Sequence, residues 1–328
     1  MAKQGQAEAL WYTAPGKAEW RGESLPLLEG THLRVRSLYS ALSRGTESLV
    51  FHGKVPDSEH QRMRAPLMAG NFPFPVKYGY AAVGIVEDGP TNVIGRTVFA
   101  LHPHQTLFDV VPDQTMALPD GLPPMRAVLA ANMETALNTL WDSGATAGQR
   151  INVIGGGVVG LLTAYLAGRM PGAEVTLIDV QPTRAETASA LGLCFALPDA
   201  APGDCDVVFH ASGSGAGLNN AIECAGDEAT VVEMSWYGAG QIPVALGGAF
   251  HSRRLRLIAS QVGKVAPSQR ARWSYRRRLA MALDLLRDDR LDILLEAPIA
   301  ATDLPARLPD ILKPGGGVLC QPIAYPSP

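Results

Sequence analysis

The 328-residue sequence holds only four cysteines, Cys194, Cys205, Cys224 and Cys320, separated by 11, 19 and 96 residues. No CxxC pair occurs, so the close thiolate pairs of a structural zinc site are missing. Such thiols read as buried and reduced, as in a reducing compartment. Charge of one sign is lacking too. A net charge of −3 and a pI near 6.2 argue against a general nucleic-acid binder or an electrostatic membrane anchor. No uninterrupted apolar run reaches the ~18 residues of a membrane span, and Met1-Ala2-Lys3-Gln4-Gly5-Gln6 lacks the apolar stretch of a signal peptide. A cytoplasmic location is expected. What is there is a globular composition, 47% hydrophobic and 18% charged, at a length that accommodates two domains with separate cores.

Periodicity divides the chain. Residues 8 to about 120 read as β-rich: 31–39 alternates at period two, and 79–86 and 96–101 add strands around a turn-rich 87–92. Helical spacing runs over 125–142 and stops at Ser143-Gly144. From Arg150 onward, strands at 151–154, 174–179, 206–211 and 229–234 alternate with helices at 158–170, 183–191 and 217–224. Such alternation implies a parallel sheet covered by helices on both faces. A basic amphipathic helix is expected over 270–286 and a last strand over 318–324. The basic run of Arg270, Arg272, Arg276, Arg277 and Arg278 reads as a solvated helix face, with a phosphate contact as the alternative.

The sharpest motif is Gly155-Gly156-Gly157-Val158-Val159-Gly160, a G-x-G-x-x-G placed between a strand and the helix that it opens. Gly155 suits the tight turn, Gly157 a close backbone approach to a pyrophosphate, and Gly160 close packing of helix on strand. A diphosphate then rests on free amides at the helix start, Val158 and Val159 among them, at the positive end of the dipole. Asp179 stands 19 residues beyond Gly160, at the end of the next strand. A carboxylate there accepts hydrogen bonds from the adenosine ribose and repels a 2′-phosphate. The expected cofactor is NAD, with NADP as the lesser alternative because Arg184 is nearby. FAD or a methyl donor are the other ligands that such loops take.

Together with Tyr78-Gly79-Tyr80-Ala81-Ala82-Val83-Gly84-Ile85-Val86 and Trp141-Asp142-Ser143-Gly144-Ala145-Thr146-Ala147-Gly148-Gln149-Arg150, these features resemble the medium-chain dehydrogenase/reductase superfamily over nearly the whole length. The resemblance implies an α/β protein: a GroES-like β-rich catalytic domain, residues 1–126 plus 266–328, with an inserted Rossmann domain, residues 127–265. Zinc-dependent members carry a Cys after an early strand, a Gly-His-Glu, and a third Cys or acid. Here Ser43, in Ser43-Arg44-Gly45-Thr46-Glu47, takes the first place, Tyr80 the second, and Ala131 or Asn132 the third. Ser, Tyr and Ala are not zinc ligands, so no metal is expected. The Ser43 segment is similar to metal-free members of the polyol-dehydrogenase-like branch, and to the branch with bacteriochlorophyllide dehydrogenases. His102 and His104 read as a hydrogen-bonded pair, with metal ligation as the alternative.

An alcohol that gives up a hydride must also lose a proton, and without a metal positioned hydrogen-bond donors take over the developing charge. Tyr80, in the place of a lost ligand, is the first candidate proton donor; plain packing of its ring is the alternative. Lys77 either tunes that phenol or forms a salt bridge. Ser43 and Thr46 offer hydroxyls, and His102 or His104 a proton relay. The resemblance further implies Arg44 near the pyrophosphate, Thr135 by the nicotinamide, Ser212 and Gly213 capping the nucleotide, and Trp236 near the nicotinamide ring. Glu134 either caps its helix or faces the pocket. The expected function is zinc-independent hydride transfer between NAD(H) and an alcohol or ketone, sugar-like or biosynthetic. The alternatives are a quinone or enoyl C=C reductase, which would favour NADPH, and a nucleotide-binding sensor without turnover. A homodimer through an edge strand near 242–246 is expected by analogy.

Overall fold

The computed structural model describes residues 5–326. The chain divides into two compact units, one running to Ala131 and taking back Leu279–Asp289 and the chain from Leu295, the other comprising Asn132–Arg278 and Arg290–Leu294. In the first unit, β1 (Gly5–Ala14) and β2 (Lys17–Leu25) form an antiparallel hairpin. Ala7 and Ala9 point inward while Gln6 and Glu8 face solvent, the alternation of a half-buried strand. There follow β3 (Leu33–Ala41), α1 (Arg44–Phe51), β4 (Ala69–Gly70), β5 (Val76–Lys77), β6 (Ala82–Asp88), β7 (Thr97–Ala100), β8 (Leu107–Val110), β9 (Thr115–Ala117) and α2 (Pro124–Ala127). Among the described residues one sheet has the order β2-β1-β5-β4, and a second is built on β3, β6, β7 and β9, with β8 also pairing β3. Leu33, Val35, Ala82, Val86, Val98, Ala100, Phe108 and Val110 form a core of this second sheet.

α3 (Ala130–Ser143) leads into the second unit. It contains β10 (Arg150–Ile154), α4 (Val158–Ala167), β11 (Glu174–Ile178), α5 (Arg184–Ala190), β12 (Cys194–Ala196), β13 (Cys205–His210), α6 (Gly215–Cys224), β14 (Ala225–Glu233), α7 (Ala249–Ser252), β15 (Arg256–Ala259) and the start of α8 (Tyr275–Leu285). The strands are parallel, in the order β12-β11-β10-β13-β14-β15. Strand order reverses at β10, which opens a crevice at the carboxyl ends of β10 and β13. The chain then adds β16 (Ile299–Ala300), α9 (Leu304–Ile311) and β17 (Pro322–Ala324) to the first unit. β17 pairs β3 antiparallel, Ile323 opposite Ser40.

Several expectations move. The compact units divide at 131 and 278, and the segment after Val265 docks on α3: Ala266 N–H donates to Asn138 Oδ1 at 3.1 Å, and Arg278 donates to the same oxygen at 2.6 Å. The helix expected at 125–142 is two, α2 and α3. α8 starts at Tyr275 rather than 270, since Ser274 Oγ caps it by accepting from Arg277 N–H at 3.1 Å. Arg270, Arg272, Arg276 and Arg277 are not buried, whereas Arg278 is. No strand forms at 242–246. Pro243 has no N–H to give a ladder, and Asn219 takes both Ala245 N–H and Pro243 O, so β15 is the edge of the parallel sheet. Among the described residues no helix is long and apolar enough to cross a membrane.

Candidate functional site

The glycine loop follows β10 directly. Gly155 has φ +107°, and a Cβ on it would lie 2.6 Å from Ser212 N; a Cβ on Gly160 would lie 1.9 Å from Gly155 O. Side chains at these two positions would push the β13 turn or α4 out of place. Gly157 is different: it is exposed, and a Cβ there would meet nothing within 4 Å. The loop thus offers open space to a ligand at the start of α4, where the first-turn amides, including those of the half-exposed Val158 and Val159, have no intrahelical carbonyl.

Asp179, just past β11, is fixed by this loop. Its Oδ2 accepts from Gly156 N–H at 2.5 Å and its Oδ1 from Gln181 N–H at 2.8 Å. Each oxygen retains a second lone pair, which suits a vicinal diol. The largely buried Arg184 packs its stem against Gly156, its Cγ 3.2 Å from that residue's Cβ position. Ser212 and Gly213 occupy the turn after β13, and Trp236 the turn after β14, at the carboxyl ends of the strands. Thr135 lies half-buried in α3. Glu134 neither caps α3 nor stands open to a pocket. It is buried, which raises its carboxyl, and it accepts from Arg278 Nε at 3.0 Å, which opposes that rise.

In the first unit, the structure brings Ser43, Thr46 and Tyr80 together. Burial pushes the Tyr80 phenol up to about 12, against the hydrogen bonds that its hydroxyl makes with the Ser43 and Thr46 side chains. Beneath them runs a buried polar chain that takes in His104, named above as a relay candidate, with Tyr12, Glu47, Ser40 and Tyr325, which the sequence did not mark as site residues. Glu47 Oε2 accepts from Tyr12 OH at 2.8 Å and pairs with His104 Nε2 at 2.9 Å, and its Oε1 accepts from Ser43 N–H at 2.7 Å. His104 Nδ1 lies 2.8 Å from Ser40 Oγ, which lies 2.9 Å from Tyr325 OH. One arrangement of protons satisfies every link: Tyr325 donates to Ser40, Ser40 to His104 Nδ1, and His104 Nε2–H to the Glu47 carboxylate. Burial and the neighbouring Glu47 hold the Tyr12 phenol well above its ordinary range.

Three expected site residues are engaged elsewhere. Lys77 Nζ donates to Glu23 Oε2 at 2.8 Å and Gln105 Oε1 at 2.9 Å, the salt-bridge alternative, and so is absent from the groups around the Tyr80 hydroxyl. Arg44 donates to the carbonyls of Ile311 (2.8 Å), Lys313 (3.1 Å) and Val318, so it staples the chain before β17 rather than presenting a free fork to a pyrophosphate. His102 stacks on Phe108, ring centroids 3.9 Å apart, with Nδ1 2.9 Å from Pro103 O, and lines a cavity of about 320 Å³ with Glu23, Lys77 and Asp109.

Burial lowers the His102 imidazole to about 3, the Pro103 carbonyl opposing. The unfolded chain takes up a proton at His102 near pH 6.5 and the folded chain does not until about pH 3. Its contribution to stability is therefore complete above pH 6.5 and is lost on acidification, by up to about 1.4 kcal/mol per pH unit. Urea unfolding of His102→Phe between pH 6.5 and 4 should show a shallower fall than the parent; parallel curves would remove this role.

Among the described residues no group of three or more His, Cys, Asp or Glu is placed to hold a metal ion. Glu47 and His104 do meet, but both ring nitrogens of His104 are hydrogen-bonded, and their neighbours Ser43 and Tyr80 are poor ligands. The residues present do not fit a zinc ion.

No protein-family model matches the sequence, and no curated protein does. Solved structures match its fold. A zinc-binding dehydrogenase of Sinorhizobium meliloti bound to NADP superposes with a TM-score of 0.77 at 19% identity, covering 98% of this chain and 100% of that one. L-idonate 5-dehydrogenase of Escherichia coli gives 0.79 at 14% identity, with 99% of each chain covered. An alcohol dehydrogenase of Escherichia coli complexed with NADH gives 0.76 at 13% identity, covering 98% of this chain and 99% of that one. From end to end, this chain has the fold of those dehydrogenases, an α/β architecture in which a GroES-like β-rich domain carries an inserted Rossmann domain.

Proposed function

We propose that the protein is an oxidoreductase that moves a hydride between NAD(H) and an alcohol or ketone without catalytic zinc. The observation that carries this reading is the open loop at Gly157 with the Asp179 carboxylate clamped beside it. The dinucleotide supplies the hydride donor or acceptor. The α4 amides bind its diphosphate, and Asp179 accepts from the adenosine ribose hydroxyls. Tyr80, held protonated at neutral pH by burial, donates its proton to a ketone oxygen as negative charge develops there. Ser43 and Thr46 then steady the phenoxide by hydrogen bonds. The L-idonate and alcohol dehydrogenase activities in the names of two structural neighbours support a hydroxylated substrate.

The neighbours hold NADP in one case and NADH in another, so the choice rests on this chain's own groups. Asp179 disfavours a 2′-phosphate. Fluorescence titration is expected to give tighter binding of NADH than of NADPH. Asp179→Ala should weaken NADH by roughly 10²- to 10⁴-fold, the worth of two hydrogen bonds to a charged group at about 1.5–3 kcal/mol each, and narrow the gap to NADPH, which Arg184 would then favour. Tighter NADPH binding by the parent protein would overturn the cofactor assignment. Turnover on a panel of alcohols, ketones and enones tests the reaction, and binding without any turnover would point to a sensor.

A further inference from the structure

β13 ends in His210, whose side chain is fully buried after an apolar run of Val207, Val208 and Phe209. Its register partner on β14 is Glu233. His210 Nδ1 lies 2.8 Å from Glu233 Oε2 and 3.0 Å from Oε1, while Nε2 lies 2.6 Å from the hydroxyl of the exposed Ser212. Glu233 also accepts from Ser235 N–H at 2.7 Å and Tyr237 OH at 2.9 Å. Burial works to raise this carboxyl, but His210, Ser235 and Tyr237 outweigh it and hold it below its ordinary range. An anion on that side fixes the proton on Nδ1 and leaves Nε2 as the acceptor facing Ser212. Ser212 Oγ also lies 3.0 Å from Ser214 Oγ, which accepts from Gly217 N–H at 3.0 Å.

A hydroxyl, a base within hydrogen-bond reach and an acid orienting that base are what nucleophilic catalysis requires. Donors for a developing oxyanion are close by. A Cβ on Gly217 would lie 2.2 Å from Ser212 Oγ, so the first turn of α6 packs directly on the hydroxyl. The amides of Gly215 and Ala216 belong to that same turn, where an α-helix supplies no carbonyl for them.

We propose that Ser212, His210 and Glu233 form a second catalytic site, an acyl-transfer centre for short activated carboxylic esters. Ser212 Oγ adds to the ester carbonyl carbon and its proton passes to His210 Nε2. The tetrahedral adduct collapses, the C–O bond to the leaving alcohol breaks, and that alkoxide takes the proton from Nε2. Water, deprotonated by His210, then attacks the acyl-Ser212 ester, releasing the carboxylic acid and restoring the serine. The absence of side chains at Gly213, Gly215 and Gly217 gives access, while the contact of α6 limits the acyl group to a short one.

The test uses the full chain with a fluorophosphonate probe and with p-nitrophenyl acetate. One equivalent of probe is expected on Ser212 by mass spectrometry, together with ester hydrolysis. Both should vanish in Ser212→Ala and fall by roughly 100-fold or more in His210→Gln, the range of a lost general base. Ser212 stands against Gly155 in the glycine loop, so NADH should shield it. Labelling without shielding leaves the acyl-transfer site standing and counts against the dinucleotide reading alone. Ser212→Cys offers a second route: the thiol introduced beside His210 should react with iodoacetamide at pH 6 faster than the exposed native thiol, Cys194. A parent protein unmodified at Ser212, or a folded His210→Gln variant labelled at the parent rate, overturns the proposal.

Discussion

Tyr80→Phe is expected to lower kcat for ketone reduction by 10²- to 10⁴-fold, about the worth of a positioned acid, with NADH affinity unchanged. The ring keeps its edge contact with Tyr78, centroids 6.0 Å apart, so what is removed is the hydroxyl that Ser43 and Thr46 hold. The pH dependence separates proton transfer from packing. With the phenol pushed up to about 12, the proton is present throughout the working range, and reduction should show no alkaline fall from Tyr80 below about pH 10. In the reverse direction the reactive form is the phenoxide, whose fraction grows tenfold per pH unit below 12. Alcohol oxidation should therefore climb with pH in the parent and not in Tyr80→Phe. Equal kcat values, or the same climb in both, would remove Tyr80 from the chemistry.

Glu47→Ala should cost about 3–5 kcal/mol, because it strands three buried donors at about 1–3 kcal/mol each, less what local relaxation recovers. It leaves Tyr12 OH, His104 Nε2 and Ser43 N–H without their acceptor in a region closed to water, since Glu47 and His104 have side-chain exposures of 0%. For a unit of this size that corresponds to a drop of roughly 6–20 °C in Tm. Glu47→Gln should fall between, because an amide retains one acceptor oxygen while its NH₂ faces a donor. Calorimetry of the three proteins reads this directly. A Tm for Glu47→Ala within about 2 °C of the parent, less than 1 kcal/mol would produce, would mean the buried chain contributes no stability.

The alternating half of the protein was legible because its strands are buried on both faces, and that selects apolar runs such as Ile151 to Ile154 and Val207 to Phe209. The glycine loop and Asp179 were legible for a related reason: backbone proximity leaves few residue choices. α1 was not, because its buried face, Glu47, Val50 and Phe51, spans barely more than one turn and includes a carboxylate, and the helix is held by Arg44 gripping carbonyls some 270 positions away. Glu47 stands inside a segment that the sequence singles out, yet its partners Tyr12, His104 and Tyr325 meet only in the folded sheet. Position alone suggests site roles for Lys77 and Arg44, and distant partners decide otherwise. A histidine ending an apolar strand, His210, was a readable signal, since an imidazole so placed needs a carboxylate or hydroxyl opposite it.

The pairing of β17 with β3 also orders events during synthesis. Residues 132–278 are contiguous and can close their parallel sheet as soon as they clear the ribosome. The strand carrying Ser40 must wait for Ile323, about 280 residues later, an interval of roughly 15–60 s at ordinary elongation rates. Through that interval the Glu47 chain lacks Tyr325, and Arg44 lacks the carbonyls that fasten it, so the nascent first unit matures last although its first strands emerge first.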